Sequence, residues 1–534
     1  MLGTHRLAYL SKPSALKRVT QAVNLHPTPT SQPATPASQP ATPASRPAPR
    51  RAIPAATPAS RSASHAGQLR QPATPVSHAS HPPRTRRPGT AARCNDRRVT
   101  ENQVTAQDEV VGICRDLIRI DTSNYGNHEG PGERQAAEYV AAQLAEVGLE
   151  PSVLESHPKR TSVVARLEGQ DDTRPALLVH GHLDVVPANA PDWRYDPFSG
   201  EETDGCIWGR GAIDMKDMDA MMLAVVRQRL REGRKPARDV VITFTADEEA
   251  GGTWGARFLV EKHPELFEGV TEAVGEVGGF SMTLGDKRLY LLQTAEKGMA
   301  WMRLTARGAA GHGSMIHPDN AVTELAEAIG RLGRHEWPIR LIPSVQAFLE
   351  GACEALNIEF IPNDPAQPLG KIGTISRIIG ATLRHTVNPT VLRAGYKVNV
   401  VPTEATAEVD GRFLPGYEEE FLAELDRVLG PGVTREFIHH DIALETTPDG
   451  DLYDAMTGAL LAEDPDARVI PYCLSAGTDA KQFSRLGMRC FGFTPLQLPP
   501  DLDFSGMFHG VDERVPVDGL RFGTRVLDGF LDRC

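Results

Sequence analysis

Two short apolar runs in this chain are each followed at once by imidazole or carboxylate side chains. Residues 176–179 lead into His182, and residues 240–245 lead into Glu248 and Glu249. Runs of this length and composition are typical of buried strands. The reactive side chains should therefore lie at strand ends or in the loops just beyond, which limits the chain to folds that gather several strand ends at one place.

Helical and strand-like segments alternate over the first part of the folded chain. Helices are predicted at 107–118, 132–147 and 217–231, and strands at 162–168, 176–180, 240–245, 271–276 and 289–294. Strands that alternate with helices indicate a mainly parallel sheet covered on both faces, with the functional site at the carboxyl ends of the strands. We therefore predict an α/β catalytic domain.

The pattern changes at about residue 301. Strands are predicted at 301–306, 390–394, 405–413 and about 433–439, and helices at 320–334 and 418–429. These segments favour an inserted two-layer α/β domain at 301–444, between catalytic parts at 99–300 and 445–534. Residues 342–384 have no place in this scheme.

Seven side chains in and beyond the strand-like segments have the chemistry of a metal site. They are His182, Asp184, Asp214, Glu248, Glu249, Glu276 and His509. Imidazole and carboxylate together suit zinc or a similar divalent ion, and the lack of any Cys-x-x-Cys argues against a structural zinc site. More carboxylates are present than one metal needs, which favours two metals that share a bridging carboxylate, with one acid left to move protons.

Three sequence strings resemble a known family. Gly-His-x-Asp-x-Val-Pro at 181–187, Gly-Arg-Gly-x-x-Asp-Met-Lys at 209–216 and Asp-Glu-Glu-x-Gly-Gly at 247–252 occur in that order. They resemble the dinuclear-zinc metallopeptidases that include aminoacylases, carboxypeptidase S, glutamate carboxypeptidase, acetylornithine deacetylase and succinyl-diaminopimelate desuccinylase. The resemblance extends from about Asp108 to the C-terminus. One departure is Glu276-Val-Gly-Gly, where the carboxypeptidase S branch usually has Asp-Glu-Gly-Gly.

The resemblance implies a set of roles for the candidate site. Five residues are implied as ligands of two zinc ions per subunit, which cobalt or manganese could replace: His182, Asp214, Glu249, Glu276 and His509. Asp214 is implied as the ligand that bridges both metals. Glu248 is implied as the general base. Asp184 is implied to fix the tautomer of His182 and to raise its basicity.

Four residues further along the chain also resemble functional residues of the family. His312, in a glycine-rich turn, resembles the lid histidine and is our candidate for the donor that stabilises the oxyanion. Asn399 and Arg412 resemble substrate-binding residues, and a guanidinium suits a substrate carboxylate. Thr478 lies in a Gly-Thr-Asp loop like the one that lines the family's pocket, although it could instead cap a helix at 480–486.

The function that the resemblance implies is metal-dependent hydrolysis of an amide or peptide bond in a small N-acyl amino acid or a short peptide with a free carboxylate. Two alternatives stay open: a biosynthetic deacetylase or desuccinylase, and a catalytically silent metal-binding relative, against which the intact Glu248 argues. A serine hydrolase lacks support because no Gly-x-Ser-x-Gly is present.

In family dimers the lid histidine reaches the partner's site, so a homodimer through the insert is expected. His317, His439 and His440 have no partner spacing and are expected on the surface.

Residues 1–98 differ from the remainder in composition. They contain 15 of the 57 Lys and Arg residues but only one of the 69 acids, Asp96. This Pro-, Ala-, Ser- and Arg-rich tail has almost no large apolar side chains, so we predict that it is disordered. It could be a flexible tail, an organelle transit segment, or upstream sequence included in error before a start at Val99.

The remainder of the chain carries 42 bases and 68 acids, and this acidic balance argues against nucleic-acid binding. No apolar run approaches the roughly 18–20 residues of a membrane span, so no membrane association is expected. The seven cysteines are scattered and follow no pairing rule. This distribution favours a reduced, cytoplasmic protein.

Overall fold

The computed structural model describes residues 104–534, so the predicted tail at 1–98 lies outside the described residues. The first catalytic part contains β1 (Ser152–His157), β2 (Arg160–Leu167), β3 (Ala176–His182), β4 (Glu201–Thr203), β5 (Cys206–Trp208), β6 (Val240–Thr245), β7 (Val270–Gly275), β8 (Phe280–Leu284) and β9 (Lys287–Glu296), with α1 (Ala106–Arg119), α2 (Arg134–Glu146), α3 (Lys216–Glu232) and α4 (Ala256–Lys262). The next part contains β10 (Gly298–Arg307), β11 (Gly311–His312), α5 (Ala321–Leu332), α6 (Pro343–Ala355), α7 (Ser376–Thr382), β12 (Thr386–Ala394), β13 (Val400–Val401), β14 (Glu404–Phe413), α8 (Glu418–Leu429) and β15 (Val433–Asp441). The last part contains β16 (Leu444–Glu445), α9 (Asp451–Glu463), β17 (Arg468–Leu474), α10 (Ala480–Ser484), β18 (Arg489–Gly492), β19 (Arg514–Pro516) and α11 (Val517–Leu531).

The large sheet has the strand order β1-β2-β6-β3-β7-β18-β9-β16, and β8 and β17 also pair with β9. At its centre β3 pairs in parallel with β6 and β7, and β18 pairs in parallel with β7. The register of β3 on β6 places His182 beside Thr245. Both strands therefore end at the same edge of the sheet, and the predicted parallel arrangement is confirmed there.

Helices cover both faces of this sheet. Every residue of β3 and of β6 is buried, as is typical of parallel strands between two layers of helices. Leu177 and Val179 pack into a core with α1, α3 and α11, whereas Leu178 packs into a separate core with α4 and α10. The alternation of side chains along one strand thus anchors both layers.

The insert forms its own smaller sheet, with the antiparallel order β12-β14-β10-β15. Buried residues alternate with partly exposed ones along β10, so one face of this sheet is covered. The helices α5 and α8 provide the cover through Leu325 and Phe421, which are buried in the insert's own core. The predicted two-layer α/β insert is confirmed, and we call it the lid.

Residues 342–384 pack on the catalytic sheet rather than on the lid. They form α6 and α7, and Phe348 and Ile379 are buried in the same core as Tyr472 of β17. An apolar helix face packs against the nearest large apolar surface, whichever domain surrounds it in sequence. The lid is therefore built from the other segments of 301–444.

No helix within residues 104–534 combines the length and the apolar character needed to cross a membrane. The six cysteines in this part of the chain are free thiols. Five of them are buried, and Cys206 is partly exposed.

Candidate active site

Four of the predicted site residues reach the same edge of the catalytic sheet from neighbouring strands. His182 is the last residue of β3, Glu248 and Glu249 form the turn after β6, and Glu276 directly follows β7. Because these strands are parallel neighbours, their carboxyl ends bring the four side chains together.

Asp214 connects these side chains to His509. Its Oδ1 lies 3.3 Å from Nε2 of His182, and its Oδ2 lies 3.3 Å from Nε2 of His509. Oε2 of Glu276 lies 3.5 Å from Nε2 of His182, and Oε2 of Glu249 lies 3.1 Å from Nε2 of His509. These contacts define two overlapping groups, one around each histidine, and Asp214 belongs to both. Ligand atoms of His182, Asp214 and Glu249 also lie within 4.8 Å of one another.

Glu248 lies beside the first group at a longer distance. Its Oε2 is 3.9 Å from Nε2 of His182. Ligand atoms of His182, Glu248 and Glu276 all lie within 4.8 Å of one another, so distance alone would admit Glu248 as a ligand. Asp214 and Glu276 both lie closer to this imidazole than Glu248 does.

The carboxylate of Asp184 holds the turn that carries Glu248 and Glu249. Its Oδ1 accepts a hydrogen bond from the backbone N–H of Glu248 at 3.0 Å, and its Oδ2 accepts one from that of Glu249 at 3.1 Å. Nδ1 of His182 lies 2.9 Å from the main-chain oxygen of Asp184 but 3.7 Å from its carboxylate. The resemblance implied that the Asp184 carboxylate orients the imidazole, but the hydrogen-bonding contact is to the Asp184 main-chain oxygen, and the carboxylate accepts from the turn instead.

Three residues next to the site have a left-handed backbone. The φ angles are 65° at Asp247, 55° at Val277 and 57° at His509. Such angles are uncommon outside glycine, and they are least favourable for a β-branched residue such as Val277. Backbone strain of this kind persists where the surroundings enforce it, and it clusters at functional sites.

Buried acids dominate the electrostatics of the site. Burial raises the pKa of Glu248 well above its usual range, and burial together with the charge of Asp214 raises the pKa of Glu249 to about 7. Hydrogen bonds to Asp214 and Glu249 raise the pKa of His509 to about 10. The site therefore favours added positive charge.

The donor atoms suit a pair of divalent cations. Imidazole nitrogens and carboxylate oxygens are the ligands of catalytic zinc sites. Oε1 of Glu249 is buried and has no hydrogen-bond partner within residues 104–534, so this oxygen is available to a cation. The residues present thus fit a dinuclear metal centre.

A cavity of about 360 Å³ opens onto the candidate ligands. Its apolar wall consists of Val277, Phe280, Tyr472, Leu474 and Phe508, and the lid side consists of Met299, Trp301, Arg412, His439 and Asp441. A larger depression of about 690 Å³ lies on the lid at residues 426–435, but it contains none of the candidate residues. The smaller cavity is therefore the candidate substrate pocket.

Arg412 and Thr478 both line this cavity. Nε and Nη2 of Arg412 donate to the Asp410 carboxylate at 2.6 and 3.1 Å. Oγ1 of Thr478 accepts the N–H of Ala480, the first residue of α10, at 3.2 Å, but the N-cap residue of this helix is Asp479. Thr478 therefore lines the pocket and supports the start of α10 without being its N-cap residue.

His312 and Asn399 lie together on the exposed tip of the lid. His312 pairs with Val400 between β11 and β13, and the Asn399 carbonyl accepts the N–H of Gly313 at 3.0 Å. Both side chains are exposed, and neither lines the cavity. The structure thus brings these two residues to each other but not to the candidate ligands of the same chain.

The structure also adds residues that spacing did not single out. Lys481 lines the cavity, and Nδ2 of the buried Asn124 donates to Asp184 at 2.9 Å. His439, expected on the surface, is partly exposed, and it lines the cavity 5.5 Å from the Trp301 ring. The polar residues 121–124, which follow α1, are a weak sequence signal for a functional role of Asn124. No local pattern marks Lys481 or His439, because the contacts involve segments far apart in sequence.

The sequence profile described as Peptidase family M20/M25/M40 matches residues 178–533. Aminoacylase-1 of Sus scrofa is 29% identical over 415 residues, which cover 76% of this chain and 90% of that relative. The N-fatty-acyl-amino acid synthase/hydrolase PM20D1 of Xenopus tropicalis is 27% identical over 455 residues, which cover 80% of this chain and 86% of that relative. The structure of Sso-CP2, an M20 family metallo-carboxypeptidase from Sulfolobus solfataricus, has the same fold with a TM-score of 0.61 at 17% identity, over 80% of this chain and 99% of that one. Because the family profile matches more than half of its length, the chain belongs to Peptidase family M20/M25/M40 and is a hydrolase of amide or peptide bonds.

Proposed function

We propose that the protein uses two zinc ions to hydrolyse the amide or peptide bond of a small N-acyl amino acid or a short peptide with a free carboxylate. The observation that carries this proposal is the Asp214 carboxylate, whose two oxygens face His182 and His509 at 3.3 Å each. A carboxylate in this position could be a ligand of two metal ions at once.

The two groups of side chains would each hold one ion. His182, Asp214 and Glu276 would hold the first, and Asp214, Glu249 and His509 would hold the second. Bound zinc would polarise the substrate carbonyl and lower the pKa of a water to about 7. The Asp184 main-chain oxygen, 2.9 Å from Nδ1, keeps Nε2 of His182 free to act as a ligand.

Glu248 is the proposed general base. Its backbone is fixed through the hydrogen bond to Asp184, and its side chain reaches the cavity. Oε2 of Glu248 accepts the proton of the attacking water and delivers it to the leaving nitrogen. A role of this kind contributes a rate factor of about 10²–10⁴.

The cavity supports a substrate that has both charge and an apolar part. Arg412 supplies the cation of this cavity, because the Lys481 ammonium is buried and donates to the Lys297 carbonyl at 2.7 Å. The wall that includes Phe280, Tyr472 and Phe508 is apolar. Asp410 engages Nε and Nη2 of Arg412, and Nη1 has no hydrogen-bond acceptor within residues 104–534. Arg412 therefore keeps donors for a substrate carboxylate, and Thr478 and the apolar wall would contact the remainder of the substrate.

His312 and Asn399 are proposed to act in a homodimer. Both are exposed on the lid tip, away from the cavity of their own chain. Four strongly exposed apolar side chains lie on the same two loops, and these are Met315, Ile316, Tyr396 and Val398. An exposed apolar group of this kind marks an interaction surface. We propose that it packs on the partner, where His312 would stabilise the oxyanion and Asn399 would contact substrate.

The test combines metal analysis with a substrate screen. We expect about two zinc ions per chain after reconstitution, and hydrolysis of N-acyl amino acids or dipeptides that a chelator abolishes. Each free-acid substrate is paired with its carboxamide, for which kcat/KM should fall about tenfold or more because a charge-assisted contact is lost. Absence of hydrolysis in the zinc-, cobalt- and manganese-loaded protein would contradict the proposal.

We also propose that the protein resides in the cytoplasm. The described cysteines are free thiols, as is usual in reducing compartments. A disulfide found by mass spectrometry of the native protein under non-reducing conditions would contradict this location.

A further inference from the structure

The turn that carries Glu248 and Glu249 rests on two buried carboxylates. Asp184 accepts the backbone N–H groups of both residues, at 3.0 and 3.1 Å. Asp247, the residue just before them, accepts the N–H of Trp254 at 3.0 Å and so closes the loop. The placement of the turn therefore depends on where these two carboxylates are held.

Asn124 connects the two carboxylates. Its Nδ2 donates to Asp184 at 2.9 Å and to Asp247 at 3.1 Å. Its Oδ1 accepts a hydrogen bond from Nη2 of Arg160 at 2.7 Å. An amide can donate to carboxylates from one atom while it accepts from a guanidinium at the other.

Arg160 completes this buried chain of hydrogen bonds. It is 2% exposed on β2, and its Nη1 donates to the fully buried Glu133. Its Nε lies 3.7 Å from Oδ1 of Asp247. The planar fork of a guanidinium can hold Glu133 and Asn124 at the same time in one geometry, which a lysine ammonium cannot do equally well.

We infer that Arg160 and Asn124 are positioning residues of the metal centre, because they fix the turn that places the base Glu248 and the ligand Glu249. This inference rests on the proposed function. Partners behind metal ligands typically change metal affinity or activity by about 10–100-fold when they are removed. Neither Arg160 nor Asn124 lines the cavity, so substrate affinity should not depend on them.

The test is Arg160→Met in the full chain, with Arg238→Met as the matched control. Arg238 is 3% exposed and donates to the Glu272 carboxylate at 2.7 Å, but it precedes β6 at the opposite end from Glu248. Both variants should lose thermal stability. Only Arg160→Met should lower kcat and weaken zinc binding in a chelator competition, each by about tenfold or more, while KM stays within about twofold.

Two further variants separate positioning from folding. Arg160→Lys should recover thermal stability through Glu133 without recovering kcat, because the fork to Asn124 is missing. Asn124→Ala should lower kcat and zinc affinity without removing a charge. This variant tests the inference if Arg160→Met does not fold. Equal kcat and zinc affinity in Arg160→Met and Arg238→Met, or a joint recovery of kcat and stability in Arg160→Lys, would overturn the inference. A wild-type chain that neither binds zinc nor hydrolyses substrate would overturn the proposed function and the inference with it.

Discussion

In the catalytic sheet, His182 and His509 come from segments more than 300 residues apart and both contact Asp214 at 3.3 Å. On the lid, His312 and Asn399 lie beside each other and face solvent. The first region brings together polar side chains from distant parts of the same chain. The second region exposes polar groups that do not line the cavity formed by residues 104–534.

The two regions differ in what they require from outside the chain. A buried cluster of acids is stable only when protons or metal ions compensate its charge. An exposed histidine has no such requirement, so its role depends on what packs against it. If the side chains around Asp214 (the ligand cluster) and His312 and Asn399 on the lid tip belong to one active site, as proposed, changes in either region should affect the same turnover.

The largest effect is expected for Glu248→Gln. This change should lower kcat at least about a hundredfold while zinc content and melting temperature stay the same, because it removes a general base and not a ligand. The matched variant Glu249→Gln should instead lose zinc. Near-normal turnover in Glu248→Gln would show that this role is wrongly assigned.

Mixed dimers test whether the lid tip serves the partner's cluster. His312→Ala and Glu248→Ala should each be inactive alone. When they are refolded together in equal amounts, about half the dimers are mixed, and one of the two sites in each mixed dimer has an intact base and an intact histidine. About a quarter of the normal activity should return. If mixed dimers form without activity, His312 does not act on the partner's site.

The metal-free cluster should make stability depend on pH. The pKa of Glu249 is raised from 4.5 to about 7, and that of His509 from 6.5 to about 10. A group whose pKa is higher in the folded than in the unfolded protein stabilises the fold at pH values below its unfolded-state pKa. This stabilisation is lost as the pH rises through its folded-state pKa. Chelator-treated protein should therefore melt at a lower temperature at pH 8 than at pH 5.5. The zinc-loaded protein should not show this decrease, because metal binding displaces the protons. A melting temperature of the metal-free protein that rises with pH would contradict the assigned shifts.

The smallest effect is expected for deletion of residues 1–98. Melting temperature and kcat should both stay unchanged, because this segment has few large apolar side chains that could pack on either region. The full chain and the shortened chain are compared by thermal melting and by turnover. A clear decrease in either value would contradict the predicted disorder.

Predictions from sequence succeeded where a local pattern has a direct geometric consequence. The helix predicted at 418–429 is α8, and the strand predicted at 240–245 is β6. The positions of His182 and Glu248 at one edge followed from the parallel arrangement of β3 and β6. In each case the periodicity of side chains and the direction of the strands sufficed.

Sequence did not predict the positions that depend on packing between two segments far apart in the chain. His439 was expected on the surface, but β15 brings it to the cavity beside Trp301. Residues 342–384 could not be placed, because only the packed structure shows which apolar surface covers α6 and α7. The sequence does not mark Arg160 as a positioning residue, because its partner Asn124 lies 36 residues away and no spacing rule connects the two.

The family strings, the alternation of strands and helices, and the set of imidazoles and carboxylates that could hold metal can all be read from the sequence, because each depends on neighbouring residues. Three other features emerge only from the packed fold: Asp214 faces both histidines, the Asp184 carboxylate holds the turn of Glu248, and His312 lies away from the cavity. These outcomes depend on side-chain directions and on contacts across long stretches of chain. Burial and hydrogen-bond satisfaction select such contacts only when the whole domain is packed.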